Sequence, residues 1–118
     1  MEIQDVPSIT RVARCRHIVS ALDNTYSAGV LFDAFAHGVD VTMQALTKYI
    51  GGHSDLLLGS VTVQDDELYR QLGDVHQLLG MGVSPDDCGL ALRGLQTLGV
   101  RLQTGIQLGR SDESRNAL

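Results

Sequence analysis

The chain has 118 residues, 43% of them apolar, a formal net charge of −5 and a sequence pI near 5.1. This length suits one small domain, and an acidic chain with scattered arginines lacks the basic surface that nucleic-acid binding requires. No apolar run is long enough to span a membrane, and residues 1–10 lack the basic and apolar blocks of a signal peptide. We therefore expect a cytoplasmic protein that binds neither nucleic acid nor membrane.

The first half of the chain predicts a helix followed by two strands. Residues 6–17 have helical spacing, with Val6, Ile9, Val12 and Ala13 on one apolar stripe. Residues 18–22 form a short apolar run typical of a strand covered on both faces, and residues 39–45 read as a second strand. Because enough residues lie between these strands for a crossover, we expect the two to be parallel.

The second half predicts a third strand and two further helices. The strand is expected over residues 56–63, and an amphipathic helix with an acidic first turn over 65–79. A helix capped by Ser84 is expected to run to about residue 102. On its surface Arg93 and Arg101 are expected to form ion pairs. Residues 104–118 are polar and unpatterned, which predicts a disordered tail after a domain of residues 3–103.

Cysteine and histidine give no sign of a disulfide or a metal site. Cys15 and Cys88 are far apart, and we expect both to be buried free thiols. The four histidines share no ligand spacing, so surface or turn positions are expected and no metal is predicted.

Lys48, the only lysine in the chain, stands at the end of the second predicted strand, and Asp23 stands at the end of the first. The carboxyl ends of parallel strands form the edge where ligands bind, and neighbouring strands lie about 4.8 Å apart. A lysine amine in an apolar pocket can form a Schiff base with an aldehyde cofactor. An aspartate can keep a pyridine nitrogen protonated, and the neighbouring hydroxyl of Thr47 can reach a phosphate. The alternatives are a solvated lysine and a turn-capping aspartate.

Three segments carry a resemblance to a known family: LDNTYSAGVLFDAFAHGVDV, DVTMQALTKYIGGHSDLLLGSV and LGMGVSPDDCGLALRGLQTLGVRL. They resemble the transsulfuration, or Cys/Met metabolism, family of pyridoxal-phosphate enzymes, and the spelling leans toward its cystathionine β-lyases. The resemblance implies an α/β fold, a partial parallel sheet with flanking helices. Residues 3–103 would be the central part of the cofactor-binding large domain of a fold-type I enzyme.

The resemblance also implies roles for single residues. Lys48 would form the Schiff base with pyridoxal 5′-phosphate, take the substrate α-proton and protonate the leaving sulfur. Asp23 would pair with the pyridinium nitrogen, and Thr47 would bind the cofactor phosphate. Ala45 stands where the family usually has a serine that also contacts the phosphate. The HSD residues after the glycine pair are expected to shape the turn rather than to react.

The implied reaction is β-elimination of cystathionine to homocysteine, pyruvate and ammonia, catalysed by a homo-oligomeric enzyme, either a dimer or a tetramer. One alternative within the family is a γ-lyase or γ-synthase. Another is a truncated, non-catalytic chain that acts only by packing against other chains. The family's phosphate loop and substrate-carboxylate arginine have no counterpart in this sequence.

Overall fold

The structure is a computed structural model that describes residues 3–115, with side chains described for residues 3–107. The elements of this part occur in the predicted order. They are α1 (Val6–Cys15), β1 (Ala21–Asp23), a 3-10 helix (Thr25–Ser27), β2 (Val41–Ala45), β3 (Gly59–Val63), α2 (Asp66–Leu78), α3 (Pro85–Leu95) and α4 (Leu98–Arg115). The single helix predicted after Ser84 is thus two helices, α3 and α4.

The three strands form one mixed sheet in the order β1-β2-β3. β1 and β2 are parallel, as predicted, and Asp23 is opposite Met43 in their register. β3 is antiparallel to β2, so the described sheet is not wholly parallel. The reason is the connection: no helix separates β2 from β3, and residues 46–58 fold the chain back as a loop.

The apolar stripe predicted for α1 is only partly correct. Asp5 caps the helix by accepting a hydrogen bond from the Ser8 amide at 3.1 Å. The buried residue of α1 is Thr10, whose hydroxyl donates to the His37 carbonyl at 2.8 Å, whereas Ile9 and Val12 are exposed. The buried position of α1 is thus held by a polar contact with a residue 27 positions away along the chain.

The buried core of the described residues is small. Ala28, Leu98 and Leu102 cluster together, with Ile50 packed against them. The expectation that the first strand is covered on both faces is wrong for this part of the chain, because Ala21 of β1 is exposed, as are Ile18 and Val19 before it.

Both cysteines are free, as expected, but both are exposed rather than buried. Cys15 ends α1 and Cys88 lies near the start of α3, and neither helix turns these positions toward the core.

Residues 104–115, which belong to the tail that we expected to be disordered, lie in α4. The backbone of α4 is helical through Arg115, and residues 116–118 lie outside the described part.

Candidate active site

A cavity of about 620 Å³ opens at the carboxyl edge of the parallel strands, within the size range of small-molecule sites. Its lining brings Asp23 and Lys48 together, as predicted from the strand ends. The lining residues are Asp23, Thr25, Tyr26, Ala45, Lys48, Tyr49, Gly52 and Arg101.

Asp23 is the last residue of β1, and its carboxylate is held by Thr25. The Thr25 hydroxyl donates to it at 2.6 Å and the Thr25 amide at 3.0 Å. These two hydrogen bonds lower the pKa of Asp23 below its ordinary value, and the bond from the hydroxyl has the larger effect. The two hydrogen bonds from Thr25 therefore favour the ionised form of the Asp23 carboxyl.

Thr25 is a site residue that was not identified from the sequence. Its hydroxyl oxygen also accepts a hydrogen bond from the Ala45 amide of β2 at 2.8 Å. One hydroxyl thus joins the Asp23 carboxylate to the strand that leads to Lys48. The Asp-x-Thr spacing could have indicated it, because an aspartate carboxylate often accepts hydrogen bonds from the residue two positions later in the chain.

Lys48 lies in a tight turn directly after β2. The Lys48 amide donates to the Ala45 carbonyl at 3.1 Å, and the Gly52 amide donates to the Lys48 carbonyl at 2.9 Å. Gly52 has φ +71°, a conformation that favours glycine. The described residues leave Lys48 exposed, so the expected apolar enclosure of its amine is not provided by this part of the chain.

Thr47, the third predicted site residue, is not in the cavity lining. Its hydroxyl donates to the Leu58 carbonyl at 3.2 Å and accepts from the Leu58 amide at 3.1 Å. The Thr47 amide also donates to the Leu58 carbonyl at 3.2 Å. Since a hydroxyl has only one proton, these contacts favour a role in closing the loop of residues 46–58 over a phosphate contact.

Two arginines attach this loop to the helices that follow, although one helix was expected to carry both. Arg93 of α3 forms an ion pair with Asp55, as predicted, and its hydrogen bond is the main cause that lowers the Asp55 pKa. Arg101 of α4 forms no ion pair among the described residues. It donates instead to backbone carbonyls, including Tyr49 at 2.5 Å.

The HSD residues after the glycine pair act structurally here, in line with the expectation. His53 Nδ1 lies 2.6 Å from the Gly51 carbonyl, and Ser54 has a positive φ of +59°. Two of the residues that line the cavity are aromatic: the ring centroids of Tyr26 and Tyr49 lie 6.5 Å apart, and the ring planes are inclined at 58°.

In the part of the chain that the structure describes, no group of three or more histidine, cysteine or acidic side chains is placed to hold a metal ion. Likewise, none of its helices combines the length and the apolar character that crossing a bilayer requires.

A family model for the Cys/Met metabolism PLP-dependent enzymes matches residues 1–108. The chain belongs to this family. It is 44% identical over 103 residues to a putative cystathionine β-lyase of Saccharomyces cerevisiae, covering 87% of this chain and 30% of that protein. It is 45% identical over 105 residues to the cystathionine β-lyase of Haemophilus influenzae, covering 87% of this chain and 26% of that protein.

A solved cystathionine γ-synthase of Xanthomonas oryzae, in complex with aminoacrylate and cysteine, superimposes with a TM-score of 0.81 at 36% identity. The match covers 84% of this chain and 26% of that one. This family member thus spans roughly a quarter to a third of the length of the relatives it matches.

Pyridoxal phosphate is the family's cofactor, and the cavity of this family member fits part of it. Asp23 and Lys48 both line the cavity, and their carboxylate and amine are groups that would suit the ring nitrogen and the aldehyde. The phosphate end is not matched by the described residues, because Ala45 carries no hydroxyl and the Thr47 hydroxyl proton is directed to Leu58.

Proposed function

We propose that this chain supplies the aldehyde-binding and ring-binding groups of a PLP-dependent carbon–sulfur lyase that acts on cystathionine. The observation that carries the proposal is that one cavity contains both Asp23 and Lys48, at the edge where parallel strands end. When bound, the cofactor supplies an aldehyde for the amine and a protonated ring that withdraws electrons.

Each residue has a defined task in this proposal. The Lys48 amine would hold the cofactor through its aldehyde. Once the amino group of the substrate has replaced it there, the freed Lys48 amine would take the α-proton of the substrate and return a proton to the leaving sulfur. Asp23 would accept a hydrogen bond from the ring nitrogen, and the lowered pKa of its carboxyl favours the charged form that this needs. Thr25 orients Asp23, while Thr47 is assigned to loop closure.

The proposed reaction is β-elimination of cystathionine to homocysteine, pyruvate and ammonia. Its support is the likeness to proteins named cystathionine β-lyase. The likeness to a γ-synthase keeps γ-chemistry as the second candidate. Product analysis separates the two, because β-cleavage of cystathionine gives a three-carbon keto acid and γ-cleavage a four-carbon one.

A third candidate is a chain that acts only by packing against other chains. It is favoured by the apolar side chains that the described sheet leaves exposed, among them Met43 and Val61. Homo-oligomerisation belongs to the same set of proposals, and size-exclusion chromatography with light scattering measures it.

The test of the cofactor proposal is chemical trapping. The purified chain is incubated with pyridoxal phosphate, its visible absorption is recorded, and borohydride then fixes any imine. Because Lys48 is the only lysine, the chain has just two primary amines that can be labelled, Lys48 and the α-amino group of residue 1. Peptide mass spectrometry shows which of the two carries the label. We expect a pyridoxyl group on Lys48 and loss of the visible band in Lys48→Ala. Label found only at the amino terminus contradicts the proposal.

A further inference from the structure

We infer that Arg101 is a positioning residue that fixes the turn carrying Lys48. The inference deepens the proposed function, since it concerns how the amine is held beside the Asp23 carboxylate. Arg101 lies in the first turn of α4, about fifty residues from Lys48 along the chain, yet it lines the same cavity.

The guanidinium reaches the two residues that directly follow Lys48. It donates to the Tyr49 carbonyl at 2.5 Å and to the Ile50 carbonyl at 3.2 Å. Carbonyls at the end of a helix-like turn lack intrahelical partners and need donors from elsewhere. Hydrogen bonds from a charged donor are about twice as strong as neutral ones, so Arg101 is a strong cap for this turn.

The same guanidinium also joins the turn to α3. It donates to the Gly94 carbonyl at 2.7 Å, and Gly94 lies so close to the turn that a Cβ there would be 2.0 Å from the Ile50 oxygen. Gly52 leaves room for the arginine, because a Cβ on it would lie 2.3 Å from Arg101 Nη1. The absence of a side chain at Gly94 and Gly52 thus lets α3, the turn and Arg101 approach closely, and the arginine donates hydrogen bonds to both backbone segments.

Geometry separates this role from binding an anion. Arg101 Nε donates to the Thr97 hydroxyl at 3.0 Å, Nη1 donates to Tyr49, and Nη2 donates to both Ile50 and Gly94. Those bonds use four of the five N–H groups of a guanidinium. A bidentate contact with a carboxylate or phosphate requires two free N–H groups. Arg101 therefore lines the cavity as a residue that holds the backbone of the turn, not as an anion-binding residue.

The test compares Arg101→Lys and Arg101→Ala with Arg70→Ala, which removes an exposed arginine of α2 that pairs only locally with Glu67. The first readout is hydrogen–deuterium exchange at the Gly51 and Gly52 amides, which close the turn. We expect exchange there to be about tenfold faster in both Arg101 variants, because lysine cannot serve three carbonyls in a fixed fork. Amides of α2 serve as the internal reference.

The second readout is the concentration of pyridoxal phosphate that half-saturates borohydride trapping on Lys48. We expect it to rise about tenfold in Arg101→Lys and further in Arg101→Ala. If Arg101→Ala is unfolded by circular dichroism, Arg101→Lys alone decides. Exchange and trapping equal to those of Arg70→Ala overturn the inference. If the unmodified chain traps no cofactor on Lys48, the proposed function fails, and the exchange comparison still decides the role of Arg101.

Discussion

Replacing Gly94 with alanine tests the close approach between α3 and the lysine turn. The new Cβ would lie 2.0 Å from the Ile50 oxygen and 2.5 Å from the Gly51 oxygen, far inside contact distance. Both oxygens belong to the backbone, so the helix or the turn has to move. Overpacking of this kind costs about 3 kcal/mol, at the upper end of the usual range, while alanine returns about 1 kcal/mol of helix propensity. We expect a net loss of about 2 kcal/mol.

Gly89 is the matched control, because it lies in the same helix and a Cβ there meets nothing within 4 Å. Gly89→Ala should gain about 1 kcal/mol from helix propensity alone. Urea unfolding followed by far-UV circular dichroism measures both variants. If Gly94→Ala is as stable as Gly89→Ala, the close approach described here is not present in solution, and the support it gives to the Arg101 bridge is lost.

Three further predictions concern hydroxyl groups. Thr25→Val should return the Asp23 pKa toward its ordinary value and weaken trapping of pyridoxal phosphate several-fold. Thr25→Ser keeps the hydroxyl and should leave the pKa and the trapping unchanged. If Thr25→Val also leaves them unchanged, the Thr25 hydroxyl does not link Asp23 to β2 as described. The Ser20 hydroxyl is the main cause that lowers the Asp40 pKa, so the stability it gives is present above the ordinary value of 3.8 and lost as pH falls below it. The difference in unfolding free energy between the unmodified chain and Ser20→Ala should therefore shrink on acidification, and a constant difference contradicts this. Thr47→Val should lower the free energy of unfolding in urea by about 1 kcal/mol and leave trapping unchanged. A large loss of trapping would instead support a contact between Thr47 and the cofactor phosphate.

The meeting of Asp23 and Lys48 was predictable because it depends on topology alone. Apolar runs located the first two strands, and parallel strands end at the same edge. The direction of β3 was not predictable in the same way. It depends on how residues 46–58 fold, and that fold relies on contacts from Arg93 and Arg101, which no local pattern records.

Burial was predicted least well, for a physical reason. Periodicity shows which residues share a face, but it does not show what covers that face. Thr10 is buried because its hydroxyl meets a distant carbonyl, while Ile9 beside it is exposed. Arg101 was expected in an ion pair because charge is visible in a sequence, whereas its backbone carbonyl partners are not.

The hydrogen bonds between Thr47 and Leu58 affect which positions of the loop can change in sequence during evolution. Three hydrogen bonds between these two residues tie the two ends of the loop to each other, next to the strands that it connects. Exposed positions of the loop that take no part in the ion pair with Arg93, such as Leu57, can then vary without moving the amine relative to the carboxylate at the end of β1. Selection can thus reshape those positions of the loop while the reactive centre keeps its place.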